Sequence, residues 1–259
     1  MRNIFLTLTA IATLVSCTKV IELDLNDAGD KIVVDGVVSN DTANNFIKLQ
    51  SSAGFYDDNT FDPITGATVT ITDQNGMSYP MTESTPGIYT NSAFVGQAYT
   101  TYDLSIDANG ELITATTYLP GNTPIDSIVT LEAPGGFFGE GYTAFLYWTD
   151  EVSERNYYRI RTYENTLKEN IIYISEDNLY NGIGTGQPLF TNSYEFGDSA
   201  TIELMEIDAG TYEYWFSLSQ ISDPQNQPAA PGNPETNLQG NALGYFGAYN
   251  ITRESKIVQ

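Results

Sequence analysis

The sequence contains no histidine, and its only cysteine is Cys17. Without an imidazole, the chain lacks the commonest general base and the commonest metal ligand of proteins. A Ser-His-Asp triad, a Cys-His dyad and the usual zinc sites are therefore excluded within this chain. Carboxylates are numerous, but no spacing between them singles out a catalytic pair. We expect a protein with no catalytic residues, no metal site and no cofactor.

Basic residues are also scarce. Lysine and arginine together number 10, against 33 aspartates and glutamates, which gives a net charge of −23. Binding to nucleic acid requires lysine and arginine to neutralise phosphates, so nucleic acid is excluded as a partner. A chain this acidic does not dock flat on anionic lipid either. The acidity is typical of a soluble exported surface, and attraction of a cationic partner is the alternative.

The single cysteine ends a short apolar run near the N-terminus. Residues 4–15 are mainly apolar and uncharged, Arg2 precedes them, and the small residue Ser16 stands directly before Cys17. This run is too short to span a bilayer, which takes about 20 residues. The pattern resembles a bacterial lipoprotein signal, which predicts a signal peptide over residues 1–16 and lipid attachment at Cys17. An ordinary secretory signal and a buried element of the domain are the alternatives.

The lipoprotein resemblance implies an exported protein whose partner is a membrane, reached through the lipid anchor on Cys17. We expect the outer membrane, with residues 17–30 forming the lipidated N-terminal segment. In lipoproteins of the Bacteroidota type, acids placed directly after the cysteine resemble a signal for surface export. Here Glu22, Asp24 and Asp27 follow only after residues 18–21. The cell surface and the periplasmic face therefore both stay open.

The first half of the remaining chain, residues 31–120, predicts an antiparallel β-sandwich. About seven short strands are separated by glycine, proline, asparagine or aspartate. The clearest hairpin alternates apolar residues with threonine over residues 67–72, turns at Asn75 and Gly76, and returns over residues 77–81. Asn-Gly suits such a turn because both residues tolerate positive φ. This half resembles transthyretin-like and immunoglobulin-like modules, which implies a structural or binding unit without chemistry of its own.

The second half, residues 121–259, predicts another sandwich with long loops. Strands are expected over residues 142–149 and 156–163, and the pair resembles the early strands of a fibronectin-type-III-like fold, in which a tryptophan fills the core. Trp148 is the candidate for that role. Alternation along the second strand places four residues on one face and two on the other, namely Tyr157, Arg159, Arg161 and Tyr163 against Tyr158 and Ile160.

Later segments complete the all-β prediction of two antiparallel sandwiches. Residues 199–205 and 211–218 are expected to be the last major strands, with helix at most over residues 217–222. Residues 240–251 are expected to pack as an edge strand. The glycine-rich stretch at residues 134–141 lacks the Gly-Lys-Ser/Thr of a phosphate loop and predicts an irregular hairpin connection.

Three weaker patterns suggest surface chemistry. Oxygen-bearing side chains in two loops could bind Ca²⁺, namely Asp57, Asp58, Asn59 and Asp62 in the first loop and Asp150, Glu151 and Glu154 in the second. Neither loop fits an EF-hand, and acids exposed to solvent are the simpler interpretation. Three Asp-Ser/Thr-apolar triplets, which begin at Asp41, Asp126 and Asp198, resemble an O-glycosylation acceptor. The numerous tyrosines after residue 141 could form stacking platforms for ligands, or simply stabilise half-buried sheets.

A family resemblance follows from segments spread along the chain. With the cysteine of the signal, they are residues 31–36, 66–71, 124–128, 148–150, 156–158 and 240–248. In this order they resemble the Bacteroidota lipoproteins of domain-of-unknown-function family 4249. The resemblance implies an outer-membrane lipoprotein that accompanies a TonB-dependent receptor barrel, and it assigns no activity and no functional residues.

The function expected from the sequence is therefore non-catalytic. The protein would act as an accessory of a TonB-dependent import receptor, capturing a ligand or covering the barrel mouth through loops at residues 54–63, 134–141 and 223–239. Confinement of both partners to one membrane would raise their encounter frequency without any new contact. A stand-alone adhesin or glycan-binding module is the alternative, and a carboxylate-based glycan hydrolase is a third. The identity of the ligand stays unknown.

Overall fold

The structure is a computed structural model that describes residues 31–52, 61–133, 140–152, 155–222 and 232–259, with the backbone alone at residues 191–193. Cys17 and the whole predicted signal lie outside the described residues. So do most of the three loops expected to capture a ligand, and so do Asp57, Asp58, Asn59 and Glu154. Among the described residues, no helix combines the length and the apolar character that a membrane crossing requires.

The described chain is mostly β-structure, which confirms the all-β, sandwich-like prediction. It forms fifteen strands, one short 3-10 helix at Thr42–Asn44 and one α-helix. The strands are β1 (Ile32–Ser39), β2 (Phe46–Ser51), β3 (Thr68–Asp73), β4 (Ser78–Thr85), β5 (Ile88–Thr90), β6 (Thr100–Ala108), β7 (Glu111–Leu119), β8 (Ile125–Glu132), β9 (Tyr142–Thr149), β10 (Tyr157–Glu164), β11 (Leu167–Lys168), β12 (Tyr173–Glu176), β13 (Gly184–Tyr194), β14 (Ser199–Ile207) and β15 (Ala242–Ile257), and the helix is α1 (Ala209–Ser222).

Two sheets contain all of these strands. The larger sheet has twelve strands in the order β11-β10-β14-β15-β1-β2-β5-β4-β3-β6-β7, with β12 also pairing with β10. The smaller sheet has the order β13-β9-β8. The predicted hairpin at β3 and β4 is confirmed: Thr72 pairs with Ser78, and Gly76 in the turn has a φ of 83°. Such positive φ values are readily adopted by glycine, which has no Cβ.

Strand β15 lies in the centre of the large sheet, so the predicted edge strand at residues 240–251 is wrong. It pairs with β14 in antiparallel fashion and with β1 in parallel fashion, so the sheet is mixed rather than purely antiparallel. Gly244 permits the approach to β1, because a Cβ at this position would lie 1.9 Å from the carbonyl oxygen of Val34. The small and aromatic residues of this segment instead allow β15 to pack closely against both neighbouring strands, β1 and β14.

Three clusters of buried side chains hold the layers together. The first lies within the β1–β7 half and includes Ile47, Leu104 and Phe246. The second lies between the small sheet and β10, β14 and the end of the chain. Trp148 belongs to this second cluster and is 1% exposed, which confirms its predicted place in the core. The third cluster lies on the opposite face of β10, β14 and β15, where α1 covers the sheet.

Helix α1 corrects the predicted strand at residues 211–218. The aromatic residues there favour a strand locally, but Asp208 caps a helix instead. The Asp208 carboxylate accepts a hydrogen bond from the Thr211 backbone N–H at 2.7 Å, and its carbonyl accepts one from Tyr212 N–H at 2.9 Å. The helix then packs Tyr212 and Trp215 on the third cluster. Capping and this tertiary contact override the strand preference of the sequence.

Hydrogen bonds cross between the two predicted halves. The other oxygen of the Asp208 carboxylate accepts bonds from the Thr117 hydroxyl at 2.9 Å and from the Tyr118 N–H at 2.8 Å, both on β7. The Asn250 side chain donates to the Pro120 carbonyl at 3.0 Å. The predicted division into residues 31–120 and 121–259 stays a prediction, as do the transthyretin-like and fibronectin-like assignments. The halves are joined by the β1–β15 pair and by these bonds.

Candidate functional site

The site begins with the alternation along β10. Tyr158 and Ile160 point into the second cluster, while Arg159 and Arg161 point to the face that α1 partly covers. The structure thus confirms the two faces predicted for this strand. The consequence is unusual for a sheet, because two arginines stand on a face that the helix partly shields from water.

Cross-strand register decides which arginine obtains a counter-charge. Arg161 lies opposite Glu203 on β14, and Glu203 lies opposite Arg253 on β15. In the next row on the same face, Arg159 lies opposite Met205. Directly opposed side chains are those that interact across a sheet. Arg161 therefore has a carboxylate beside it, and Arg159 has an apolar side chain.

The carboxylate of Glu203 is fully occupied. It is completely buried, it forms ion pairs with Arg161 at 2.9 Å and with Arg253, and it accepts a hydrogen bond from the Tyr163 hydroxyl at 3.1 Å. The contact with Arg161 has the distance of an ion pair but not the angle of a hydrogen bond, since Arg161 Nε has no hydrogen-bond partner. Glu203 therefore has no free oxygen with which to compensate Arg159.

Arg159 is a buried cation without a carboxylate partner. Its residue is 9% exposed, and its guanidinium carbon lies 3.3 Å from the centre of the Trp215 ring and 6.0 Å from that of Tyr249. Its Nε has no hydrogen-bond partner, and no carboxylate of the described residues forms an ion pair with it. Burial lowers the pKa of Arg159 from its usual value, which shows that folding disfavours this charge.

These side chains line a pocket of about 260 Å³ between α1 and the sheet. Arg159, Arg161 and Lys168 supply its positive charges, and Asp35 supplies its carboxylate. Lys168 has no ion pair among the described residues. Its pKa is lowered by partial burial and by the nearby charges of Arg161 and Arg159. The pocket is thus electropositive within a chain whose net charge is −23.

Aromatic rings form the walls of the pocket and are linked by hydrogen bonds. Trp215 Nε1–H donates to the Tyr249 hydroxyl at 2.7 Å, and that hydroxyl donates to the Tyr245 hydroxyl at 3.0 Å. The Tyr245 hydroxyl also lies near the carboxyl group of Asp35 and lowers its pKa. The rings of Tyr214 and Tyr245 stack with centres 4.2 Å apart. This relay fixes the orientation of the walls, because each polar tip has a defined partner.

Burial shifts the pKa values of the groups in this relay. It raises the pKa of Asp35 above 3.8, and the hydrogen bond from Tyr245 together with the charges of Lys48, Arg159 and Lys168 opposes that rise without cancelling it. Burial also raises the pKa of Tyr214 to about 12 and that of Tyr245 well above 10.0. The phenols therefore stay neutral at physiological pH, and burial disfavours the charge of Asp35.

The chemistry of the pocket is suited to holding an anion. Guanidinium and ammonium groups recognise carboxylates and phosphates, and aromatic rings contact the rest of a ligand. Within the described ranges, no group of three or more His, Cys, Asp or Glu side chains is arranged to hold a metal ion. A cation is thus an unsuitable ligand for a pocket whose surplus charge is positive.

The described acids that the sequence offered as Ca²⁺ ligands lie outside this pocket. Asp150 is buried, and its two oxygens accept hydrogen bonds from the Tyr158 hydroxyl at 2.5 Å and the Gly182 N–H at 2.9 Å. Nearby, the buried carboxylate of Glu206 accepts from Thr123 at 2.5 Å and from Asn156 at 2.8 Å. Burial raises the pKa of Glu206. These acids belong to a hydrogen-bonded network inside the protein, and Asp62 is exposed and far from it in sequence.

The three predicted glycosylation triplets lie at turns and strand starts. Thr42 and Ser127 are exposed, and Ser199 is half-buried. The preceding acids have local roles: Asp41 caps the 3-10 helix, and Asp126 accepts a hydrogen bond from Thr149 at 2.7 Å. Modification of these residues stays a prediction.

Sequence reasoning identified Arg159 and Arg161 as sharing a face, but it missed the pocket. Its other parts come from segments far apart in the chain, including Asp35 on β1 and Trp215 on a helix that was predicted to be a strand. Of the tyrosines proposed as stacking platforms, three line the pocket: Tyr214, Tyr245 and Tyr249. The signal that could have pointed to the site is the clustering of two of the few basic residues within one strand.

Comparison with known proteins gives a family match. A family model described as "Domain of unknown function (DUF4249)" matches residues 18–255. No curated protein matches the chain. The match covers every element of the sheet that forms the pocket.

Proposed function

The chain belongs to the DUF4249 family, and from that premise we propose that it is an outer-membrane lipoprotein that captures a ligand for a TonB-dependent import receptor and catalyses no reaction. The proposal joins three supports. They are the lipoprotein-like signal that ends at Cys17, the rigid all-β scaffold, and the pocket at Arg159.

The observation that carries the capture role is the buried charge of Arg159, with which no carboxylate of the described residues forms an ion pair. An isolated buried charge costs folding free energy unless it is paired. Proteins retain such costs mainly where a ligand or a reaction uses the group. A pocket with a fixed aromatic wall, a free cation and an opening toward solvent has the properties of a binding site.

The lipid on Cys17 would place this site beside its receptor. Anchoring two proteins in one membrane converts their association into a two-dimensional encounter at high effective concentration. The acidic surface repels anionic lipid. The folded domain would therefore be held to the membrane by its lipid tether alone. It would be free to dock on the receptor barrel in an outer membrane of the Bacteroidota type.

Purification of the tagged full-length chain from detergent-solubilised membranes tests this proposal. We expect a TonB-dependent barrel to co-purify with the wild-type chain, and the Cys17→Ala variant to leave the membrane fraction and lose the barrel. Recovery of membrane-bound wild-type protein with no barrel would refute the accessory role. If that protein also bound a glycan array, the stand-alone adhesin would replace it.

A further inference from the structure

We infer that the Arg159 pocket binds a small organic anion that carries a single carboxylate, and that Arg159 and Lys168 hold this carboxylate. The inference rests on the proposed capture role and names the ligand class of that site. It follows from the charge, the donor geometry and the size of the pocket, which are independent observations.

The charge of the pocket favours an anion. Arg161 has its counter-charge in Glu203. Among the described residues, this leaves Arg159 and Lys168 as the lining cations without an ion pair. Asp35 provides one negative charge to the same pocket. Because Arg161 shares Glu203 with Arg253, the cations at the pocket outnumber the carboxylates, and an anionic ligand reduces this surplus of positive charge.

The donors of Arg159 are arranged for a carboxylate. The guanidinium carbon lies 3.3 Å from the centre of the Trp215 ring, and this contact limits the positions that the group can take. Nε has no hydrogen-bond partner among the described residues. A carboxylate accepts two parallel hydrogen bonds in the plane of a guanidinium, and this fork geometry is the strongest that arginine forms. The orphan donor is therefore an unused half of such a fork.

The size and walls of the pocket describe the rest of the ligand. A pocket of about 260 Å³ is smaller than the range of roughly 300–1,000 Å³ that accommodates drug-sized molecules. The ligand is therefore small. Its body meets the rings of Tyr214 and Tyr245 and the side chains of Val33 and Val37, so it is apolar or aromatic. Benzoate is a suitable probe of this class.

Tryptophan fluorescence provides the measurement. The chain has two tryptophans; Trp148 is buried in the second cluster, and Trp215 lies at the pocket. The purified full-length chain in detergent, carrying Trp148→Phe, reports on Trp215 alone. It is titrated with benzoate, with benzamide as a neutral probe of the same shape, and with inorganic phosphate. We expect saturable quenching by benzoate, with an affinity at least about tenfold higher than for benzamide or phosphate.

Matched variants assign the effect to the pocket. We expect Arg159→Met and Lys168→Met each to weaken benzoate binding about tenfold or more. Arg155→Met, which removes an exposed arginine that is paired with Glu176, should leave the binding unchanged. Arg159→Lys retains the charge but not the fork, and it should bind with intermediate affinity. If Arg159→Met does not fold, the comparison of benzoate with benzamide on the intact pocket decides the question.

Several results would overturn the inference. They are equal binding of benzoate and benzamide, preference for phosphate, undiminished binding by Arg159→Met, or no saturable response to benzoate. The benzoate titration and the co-purification test different claims, so one can fail while the other succeeds. Benzoate binding without a co-purifying barrel would leave the ligand class standing and remove the importer, whereas a co-purifying barrel without benzoate binding would do the reverse.

Discussion

The guanidinium carbon of Arg159 lies 3.3 Å from the centre of the Trp215 ring, and this contact joins β10 to the single α-helix of the described chain. The ring takes the place that a carboxylate occupies for Arg161 in the neighbouring row. A cation over an aromatic face gains about 0.5–2 kcal/mol, which is less than the desolvation of a buried charge costs. The site is thus built at the expense of folding stability, and this has measurable consequences.

Arg159→Met should fold at least as stably as the wild type. The substitution removes an unpaired buried charge and retains an unbranched side chain that can pack on Trp215. Replacement of buried ionic groups by apolar ones is often neutral or stabilising by about 1–4 kcal/mol. After loss of the cation–π contact, we expect the free energy of unfolding to stay equal or to rise by about 1 kcal/mol. Urea denaturation checks this, with Arg155→Met as the control, and a loss of more than about 2 kcal/mol would contradict it.

Asp35→Asn should stabilise the protein at neutral pH but not at low pH. Because the pKa of Asp35 is raised in the folded state, the wild-type free energy of unfolding falls as pH rises from about 3.8 through the raised pKa. Above that window the full cost of the charge is present, and asparagine removes it. The groups that face Asp35 are the Tyr245 hydroxyl, Lys48, Arg159 and Lys168.

Denaturation of both proteins across this pH range measures the difference between them. We expect the variant to be the more stable at pH 7 and the gap to close as pH falls toward 3.8. Benzoate should also bind the variant more tightly at pH 7, because a like charge leaves the pocket. A wild type that is the more stable at pH 7 would show that the attraction of Asp35 to its cations outweighs its burial.

Glu203→Gln should destabilise the fold strongly. It leaves Arg161 and Arg253 without the carboxylate that both contact. Breaking a buried ion pair costs about 3–5 kcal/mol, and the partial exposure of both arginines should reduce this to about 2–3 kcal/mol. Glu254→Gln, at an exposed position of the neighbouring strand β15, is the control and should have an effect near zero. Equal midpoints of thermal unfolding for the two variants would be evidence against the central position of Glu203.

Asp208→Ala should loosen α1 and weaken the pocket at the same time. Asp208 caps the helix through Thr211 and holds β7 through Thr117 and Tyr118. Loss of the cap costs about 1 kcal/mol, and loss of the other bonds adds about 1–2 kcal/mol. Because the helix carries Trp215, quenching of its fluorescence by benzoate should weaken as well. Asp208→Asn retains one acceptor, so its free energy of unfolding should lie between those of the wild type and of the alanine variant. Unchanged stability of the alanine variant would contradict the role of Asp208 as a cap.

The sheet-forming segments were predictable from local patterns. Alternation over residues 67–72 and the Asn75-Gly76 turn specify the β3–β4 hairpin without outside help. The two faces of β10 follow from the same period of two. The place of Trp148 in the core follows from the resemblance of its strand to an early strand of a fibronectin-type-III-like fold. In each case the determinants lie within a few residues of one another.

The pocket was not predictable, because its determinants are non-local. Whether Arg159 obtains a counter-charge depends on the register that places Met205 rather than Glu203 opposite it. The parallel pairing of β1 with β15 joins residues from the two ends of the described chain, and it alone brings Asp35 next to Tyr245. The helix that carries Trp215 exists because of a cap and a tertiary contact, against the strand preference of its aromatic residues.

NMR of arginine side chains tests the ligand site most directly. The sequence has five arginines, namely Arg2, Arg155, Arg159, Arg161 and Arg253, so arginine labelled with ¹⁵N gives few Nε–H signals, which single substitutions can assign. On addition of benzoate we expect the Arg159 signal to move most, because its Nε has no hydrogen-bond partner in the part of the chain that the structure describes. The Arg155 and Arg253 signals should stay in place. Movement of Arg155 or Arg253 as large as that of Arg159, or no movement of Arg159 at saturating benzoate, would contradict binding of an anion at this pocket.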